Sequence, residues 1–192
     1  ATAEARYGHI SVWNTSGVTD MSRLGRTYDG GAVVETHCGT WDSFNDDLSH
    51  WDTSSVTSMD LMFYTANSFN GDVSNFDTRS VTTMHAMFDG ATSFNGDVSN
   101  FDTSSVIDMR GMFQGASSFN SDISNFVTSS VTNMGYMFYG ATSFNQDTSS
   151  WTSKDFELLP FIDKKKCDKS FPSRSSLHLI SLAHLFFVFL IL

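Results

Sequence analysis

The sequence predicts an α/β repeat solenoid, a right-handed coil with one short strand and one short helix per 25-residue unit. Three observations carry that expectation. Phe44, Phe69, Phe94, Phe119 and Phe144 recur at a fixed step of 25 residues, each followed by an asparagine: Asn45, Asn70, Asn95, Asn120 and Asn145. The composition is skewed as copying skews it, with 18 Phe and 9 Met beside 2 Pro in 192 residues. Within each unit the apolar residues change their spacing part-way, which is how a strand is told from a helix.

The same step generates further columns. One is acidic: Asp47, Asp72, Asp97, Asp122 and Asp147. One is aromatic, Trp51, Phe76, Phe101, Phe126 and Trp151, and one is Val56, Val81, Val106 and Val131. Methionines come in pairs, Met59 with Met62, Met84 with Met87, Met109 with Met112 and Met134 with Met137. With the phenylalanine that follows each second methionine (Phe63, Phe88, Phe113 and Phe138), these columns absorb eight of the nine methionines and 12 of the 18 phenylalanines, so the skew and the repeat are one fact.

The strand is expected at the start of a unit. In Asp72, Val73, Ser74, Asn75, Phe76 the apolar residue alternates with polar neighbours, as a half-buried strand or extended turn requires. The helix is expected next, because Val81, Met84, Met87, Phe88 and Ala91 fall at steps of 3, 3, 1 and 3, the spacing of one helical face. Oxygens of the preceding Asp-Thr-Ser-Ser stretch can cap its free amides, and Ser105 with Asp108 has capping-box spacing. Gly90, Gly115 and Gly140 stand where a left-handed C-terminal residue is wanted. So short a helix is marginal alone in water. Stacked copies would bury each other's Phe, Met and Val, with strands pairing in parallel.

Four segments follow. Residues 1–40 read as a degenerate first repeat with an insertion, forming an N-terminal cap: Trp13, Val18 and Met21 match Trp51, Val56 and Met59, and about 13 extra residues, near 26–38, read as a loop or degenerate coil. Residues 41–152 are the array, with units starting near Phe44, Phe69, Phe94, Phe119 and Phe144. Residues 153–176 read as a basic C-terminal cap or linker, and 177–192 as an apolar tail.

The unit resembles the repeat of BspA-like leucine-rich-repeat surface proteins. Phe-Asn-x-Asp, then an aromatic followed by Asp-Thr-Ser-Ser-Val-Thr and Met-x-x-Met-Phe, carries the likeness over residues 41–152, with 13–21 as an outlying fragment. Val127 departs from the aspartate of Asp52, Asp77 and Asp102, and Thr65 from the glycine of other units. The resemblance implies a leucine-rich-repeat-like coil, an adhesive or protein-binding role at a cell surface, and no catalytic residues.

Charge narrows the partners. Residues 41–152 carry 13 Asp against Arg79 and Arg110, a net −11, while 153–192 carry 4 acidic and 6 basic residues. An acidic array is unsuited to nucleic acid, whose phosphates need a basic face. Six histidines share no column, and no Gly-x-Ser-x-Gly, Walker or His-Glu-x-x-His motif occurs. Cys38 and Cys167 supply neither a disulfide framework nor a zinc spacing. No enzyme and no obligate cofactor are expected.

The column Asp47, Asp72, Asp97, Asp122, Asp147 stacks like charges, relieved by solvation, by local hydrogen bonds, or by bound calcium, which takes oxygen ligands. The asparagines after each repeat Phe suit a hydrogen-bonded ladder. Thr53, Thr78, Thr103 and Thr128 read as helix caps, with a flat ice-binding-type array as the other reading. A protein or glycan partner is expected on the outer strand face, at His50, Asn75, Asn100 and Asn125.

The 177–192 stretch is 16 residues long and is interrupted by His178, Ser181 and His184. A spanning helix needs about 20 residues. A C-terminal membrane anchor, a removable lipid-anchor signal and a gene boundary drawn past the true end of the repeat all stay open, the abrupt loss of period favouring the third. Location at a cell surface or outside the cell, with or without a membrane anchor, is the expectation.

Overall fold

The structure, a computed structural model, describes residues 9–24, 27–29, 32–34 and 41–151, the two short segments by backbone only. The reading of 153–192 as cap, linker or apolar tail lies outside the described residues.

Hydrogen bonding follows the sequence period. Met59 N–H donates to Thr83 O (3.1 Å), Leu61 to His85 (2.8 Å), Phe63 to Met87 (2.8 Å) and Thr65 to Asp89 (2.7 Å). The next unit repeats this from Met84 to Asp108, Ala86 to Arg110, Phe88 to Met112 and Gly90 to Gln114. Isolated parallel bridges link Asp20, Ser58, Thr83, Asp108 and Asn133 in succession. Each unit is therefore a coil lying on the next, bonded through alternate amides as in a parallel sheet.

The expected helix is absent, and the pairing falls where the helix was expected. Over 56–66 the amides that do not leave the coil close tight turns instead: Met62 to Met59 O, Tyr64 to Leu61 O and Ala66 to Phe63 O. A chain of three-residue turns puts apolar side chains at the same steps as one helical face, so the spacing alone does not separate the two. What forbids the helix is a left-handed residue at every fourth position: Leu61 (φ 57°) and Thr65 (56°), Ala86 (52°) and Gly90 (76°), Gly111 (62°) and Gly115 (66°), Tyr136 (60°) and Gly140 (77°). The glycines are left-handed as expected, but no helix precedes them. Among the described residues the helices are two three-residue 3₁₀ turns, Ile10–Val12 and Trp41–Ser43.

Of the two readings of 72–76, strand or extended turn, the structure has a turn, closed by Phe76 N–H on Val73 O (3.0 Å). Asp72 Oδ1 accepts from the Ser74 amide, a local bond that competes with strand pairing.

The interior is built of columns. Phe69, Phe94 and Phe119 are fully buried, as are Phe63, Phe88 and Phe113, Met59, Met84 and Met109, and Val56, Val81 and Val106. Rings from the two Phe columns alternate along the stack: Phe63 lies 4.0 Å from Phe69 by ring centroids, Phe88 3.9 Å from Phe94, Phe113 3.8 Å from Phe119. Within one column the rings are 5.3 to 5.7 Å apart and nearly parallel, the offset stacking that aromatic quadrupoles favour.

The upstream fragment joins this stack. Thr57 N–H donates to Thr19 O, Met21 to Ser58 O and Arg23 to Asp60 O. Here bridged residues are 38 apart rather than 25, and the difference is the 13-residue insertion. That insertion contains an antiparallel pair, Thr27–Asp29 with Ala32–Val34, so it has structure that a loop reading does not anticipate.

Candidate binding surface

Two surfaces of the coil carry polar side chains. On the turn flank, the five aspartates of the first column each accept a hydrogen bond from the serine amide two residues on: Asp47 from Ser49 (2.8 Å), Asp72 from Ser74 (2.9 Å), Asp97 from Ser99 (2.9 Å), Asp122 from Ser124 (2.8 Å) and Asp147 from Ser149 (2.8 Å). These are Asx turns, in which the carboxylate replaces a backbone acceptor. The amide, together with the serine hydroxyl, holds the Asp47, Asp72, Asp122 and Asp147 carboxyls below their ordinary value. Repulsion from the next aspartate along the stack is the weakest influence on Asp72. Local hydrogen bonds thus relieve the stacked charge. Among the described residues, no three His, Cys, Asp or Glu side chains are grouped to hold a metal ion.

Asp52, Asp77 and Asp102 accept from the amides of Ser54, Arg79 and Ser104 in the same way, and hydrogen bonds from those residues' side chains depress their carboxyls most. The threonine column beside them is buried and caps no helix. Thr53 Oγ1 donates to Asp77 O (3.1 Å) and accepts from Asp77 N–H (2.7 Å), tying both backbone groups of the neighbouring coil. Thr15 does the same to Asp52 and Thr103 to Val127. An ice-binding-type array would need these hydroxyls exposed, and they are not. Because Thr bonds only to backbone, Val127 stands in for aspartate without breaking the ladder. The asparagine ladder is equally regular: Asn45, Asn70, Asn95 and Asn120 each accept on Oδ1 from the amide of the next asparagine at 2.8 Å.

Asn75, Asn100 and Asn125 are exposed, and the Nδ2 of each donates to a serine carbonyl of the preceding coil, Ser49 (2.7 Å), Ser74 (3.3 Å) and Ser99 (3.2 Å). They are inter-coil ties as well as surface groups. His50 is exposed in the same column.

The second surface is the arc formed by 57–65 and its equivalents. Here the regular bonds between coils run from backbone to backbone, with side-chain bonds added at particular positions, and the side chains differ strongly between units: Asp60, His85, Arg110 and Gly135 share one column, Tyr64, Asp89, Gln114 and Tyr139 another. Asp60 Oδ1 accepts from the Thr83 hydroxyl and the His85 amide, and Arg110 donates from Nη2 to His85 Nε2 (2.9 Å). Beyond Arg110, Ile107, Tyr136 and Tyr139 are 50%, 47% and 52% exposed. The two tyrosine rings meet edge to face at 6.1 Å. Sequence reading overlooked this strip because it was assigned to helix. The signal was present in the departures from the repeat, which cluster at these positions.

Family comparison adds one decisive match, over residues 2–79 and 71–159, to a family described as "Mycoplasma protein of unknown function, DUF285". The chain belongs to this family. Two successive matches run across the upstream fragment and the coiled stack, each spanning about three of the 25-residue units. No curated protein and no solved structure matches the chain. Among the described residues no helix is long and apolar enough to cross a membrane.

Proposed function

We propose that this DUF285 chain is a non-enzymatic surface repeat protein of the BspA-like kind, a leucine-rich-repeat-like solenoid that binds protein or glycan through the arc. One observation supports the reading above others. The chemically largest differences between units gather on a strip whose backbone is held by inter-coil bonds, where side chains vary without loss of the fold. Paired exposed tyrosines beside Arg110 offer large, rigid contact area with a polar rim, the composition that recognition surfaces favour. The face at Asn75, Asn100 and Asn125 is the competing site on the same scaffold.

The test is a screen of the whole chain against glycan and protein arrays, followed by Tyr139→Ser with Arg110→Ser, and separately Asn100→Ser with Asn125→Ser. Binding weakened at least tenfold by the first pair only is the expected result, equivalent to about 1.4 kcal/mol. The absence of any partner at micromolar concentration overturns the proposal. Loss through the second pair only moves the site to the turn flank. A calcium-dependent scaffold is the other function read from the sequence, and it requires a melting temperature that rises with millimolar calcium.

A further inference from the structure

The two asparagine columns of the flank are held by opposite ends of the side-chain amide. Asn75, Asn100 and Asn125 donate from Nδ2 to serine carbonyls of the preceding coil. The backbone amide that follows each is engaged as well: Phe76, Phe101 and Phe126 donate to Val73 O, Val98 O and Ile123 O, each at 3.0 Å. Asn67 is held likewise, its Nδ2 on Asp42 Oδ1 and the Ser68 amide on Asp42 O. The ladder column is the reverse. Asn70 and Asn95 are exposed and tie the next coil through Oδ1, which accepts the Asn95 and Asn120 amides at 2.8 Å. Among the described residues neither Nδ2 has an acceptor, and neither does the amide of the residue that follows, Gly71 or Gly96.

An asparagine Cγ is open to attack by the next backbone nitrogen, which closes a cyclic imide. The attack needs a nitrogen free of other bonds, a carbonyl polarised by a donor, and an amine free to leave. Asn70 with Gly71 and Asn95 with Gly96 combine all of these. The Asn95 N–H lies 2.8 Å from Asn70 Oδ1, where a donor stabilises the oxyanion that forms on attack. Glycine adds backbone freedom and has no Cβ to crowd the approach. At the same step the other units carry Asp46, Ser121 and Gln146. A Cβ on Gly71 would meet Phe69 Cε2 at 2.9 Å, and Ser121, at the same step after Phe119, shows that the coil absorbs such a contact.

We propose that Asn70 and Asn95 are sites of spontaneous deamidation, promoted by the ladder to which they belong. The Gly71 nitrogen bonds to Asn70 Cγ and gives its proton to water, and Nδ2 takes up a proton and leaves as ammonia. Water then opens the imide at either carbonyl, returning aspartate or isoaspartate without any oxidant or reductant. Aspartate keeps an oxygen for the Asn95 amide and adds a negative charge to an already acidic array. Isoaspartate lengthens the backbone and takes that acceptor out of register. The inter-coil ties of the flank thus carry their own chemical clock at two positions, Asn70 and Asn95.

The full-length chain is held at neutral pH and physiological temperature for weeks, folded in one sample and unfolded in urea in another. Peptide masses and labelling by an isoaspartate methyltransferase report on each asparagine. Folded Asn70 and Asn95 should react at least as fast as their unfolded counterparts, and roughly tenfold or more faster than Asn120, which precedes Ser121. Asn75, Asn100 and Asn125 should stay intact in the folded chain. Gly71→Ser should slow Asn70 by roughly tenfold and leave Asn95 as it was. If that variant no longer melts cooperatively, Gly96→Ser, read at Asn95, takes its place. Asn70 and Asn95 that survive in the folded chain while the unfolded chain reacts overturn the proposal. Equal rates at Asn70 and Asn120 overturn it too, as does a folded Gly71→Ser chain in which Asn70 reacts as before.

Discussion

The turn flank and the ladder arc of each coil face the same problem, holding one coil on the next, and solve it with different atoms. On the flank, side chains make the bonds: Asn70 Oδ1 to the Asn95 amide, Thr53 to the Asp77 backbone, Asn75 to Ser49 O. On the arc, the bonds that recur in every unit are backbone ones, as from Leu61 to His85 and from Ala86 to Arg110, and side-chain ties such as Asp60 to the His85 amide are local additions. A side chain that carries a structural bond must be the same in every unit, and a backbone bond is blind to the side chain above it. This is why the flank repeats nearly word for word while the arc ranges from Asp60 to Arg110 in one column.

Substitutions can break or sharpen that contrast. The interior shared by both surfaces should respond most: Phe94→Ala opens a hole in both ring columns and should cost about 3–5 kcal/mol by denaturant unfolding. On the flank, Thr103→Val keeps the shape but leaves both backbone groups of Val127 without their partner, and about 1–3 kcal/mol should be lost. The arc counterpart Thr82→Val should come close to neutral, within about 0.5 kcal/mol, since the chain itself places Ile107 in that column. Equal losses at Thr103 and Thr82 would dissolve the distinction between the two surfaces.

A smaller effect concerns the left-handed positions. Thr65 occupies with a β-branched side chain the site that Gly90, Gly115 and Gly140 fill in later units, at φ 56°. Thr65→Gly should raise stability by up to about 1 kcal/mol, and Gly115→Ala should lower it by about the same, read from melting temperatures.

The smallest expected effect is electrostatic and belongs to the flank. The Asp72 carboxyl is depressed in the folded state from the ordinary 3.8, chiefly by the Ser74 amide. Its contribution is therefore complete above the unfolded-state value and is lost as pH falls through the lower folded-state value. Melting temperature should decline below about pH 4, and Asp72→Asn, which preserves the turn acceptor, should shallow that decline. An unchanged acid limb would show that the Asx turns are not responsible.

Periodicity made the columns legible. Which residues are interior, where the register fails after Met21 and that asparagines form a ladder were all readable from residue types at a fixed step. The local backbone was not. Val81, Met84, Met87 and Phe88 carry helical spacing, yet Ala86 and Gly90 are left-handed and alternate amides leave the coil. Turns that repeat every few residues imitate a helical face, and only the partner coil distinguishes them. The threonines were misread for the same reason: a cap and an inter-coil tie need the same side chain at the same local position. The arc went unnoticed as a surface because its residues were counted as one face of that helix.

Sequence alone determined the unit, its length, its buried columns and the acidity of the array, because these follow from identical residues recurring at an identical step. Tertiary structure decided the direction of every amide. Once a neighbouring coil offers carbonyls at sheet distance, a chain too short to gain much from its own helix bonds alternates tight turns with bonds to that neighbour. That choice, invisible within one unit, leaves one face repeated and the other free to differ.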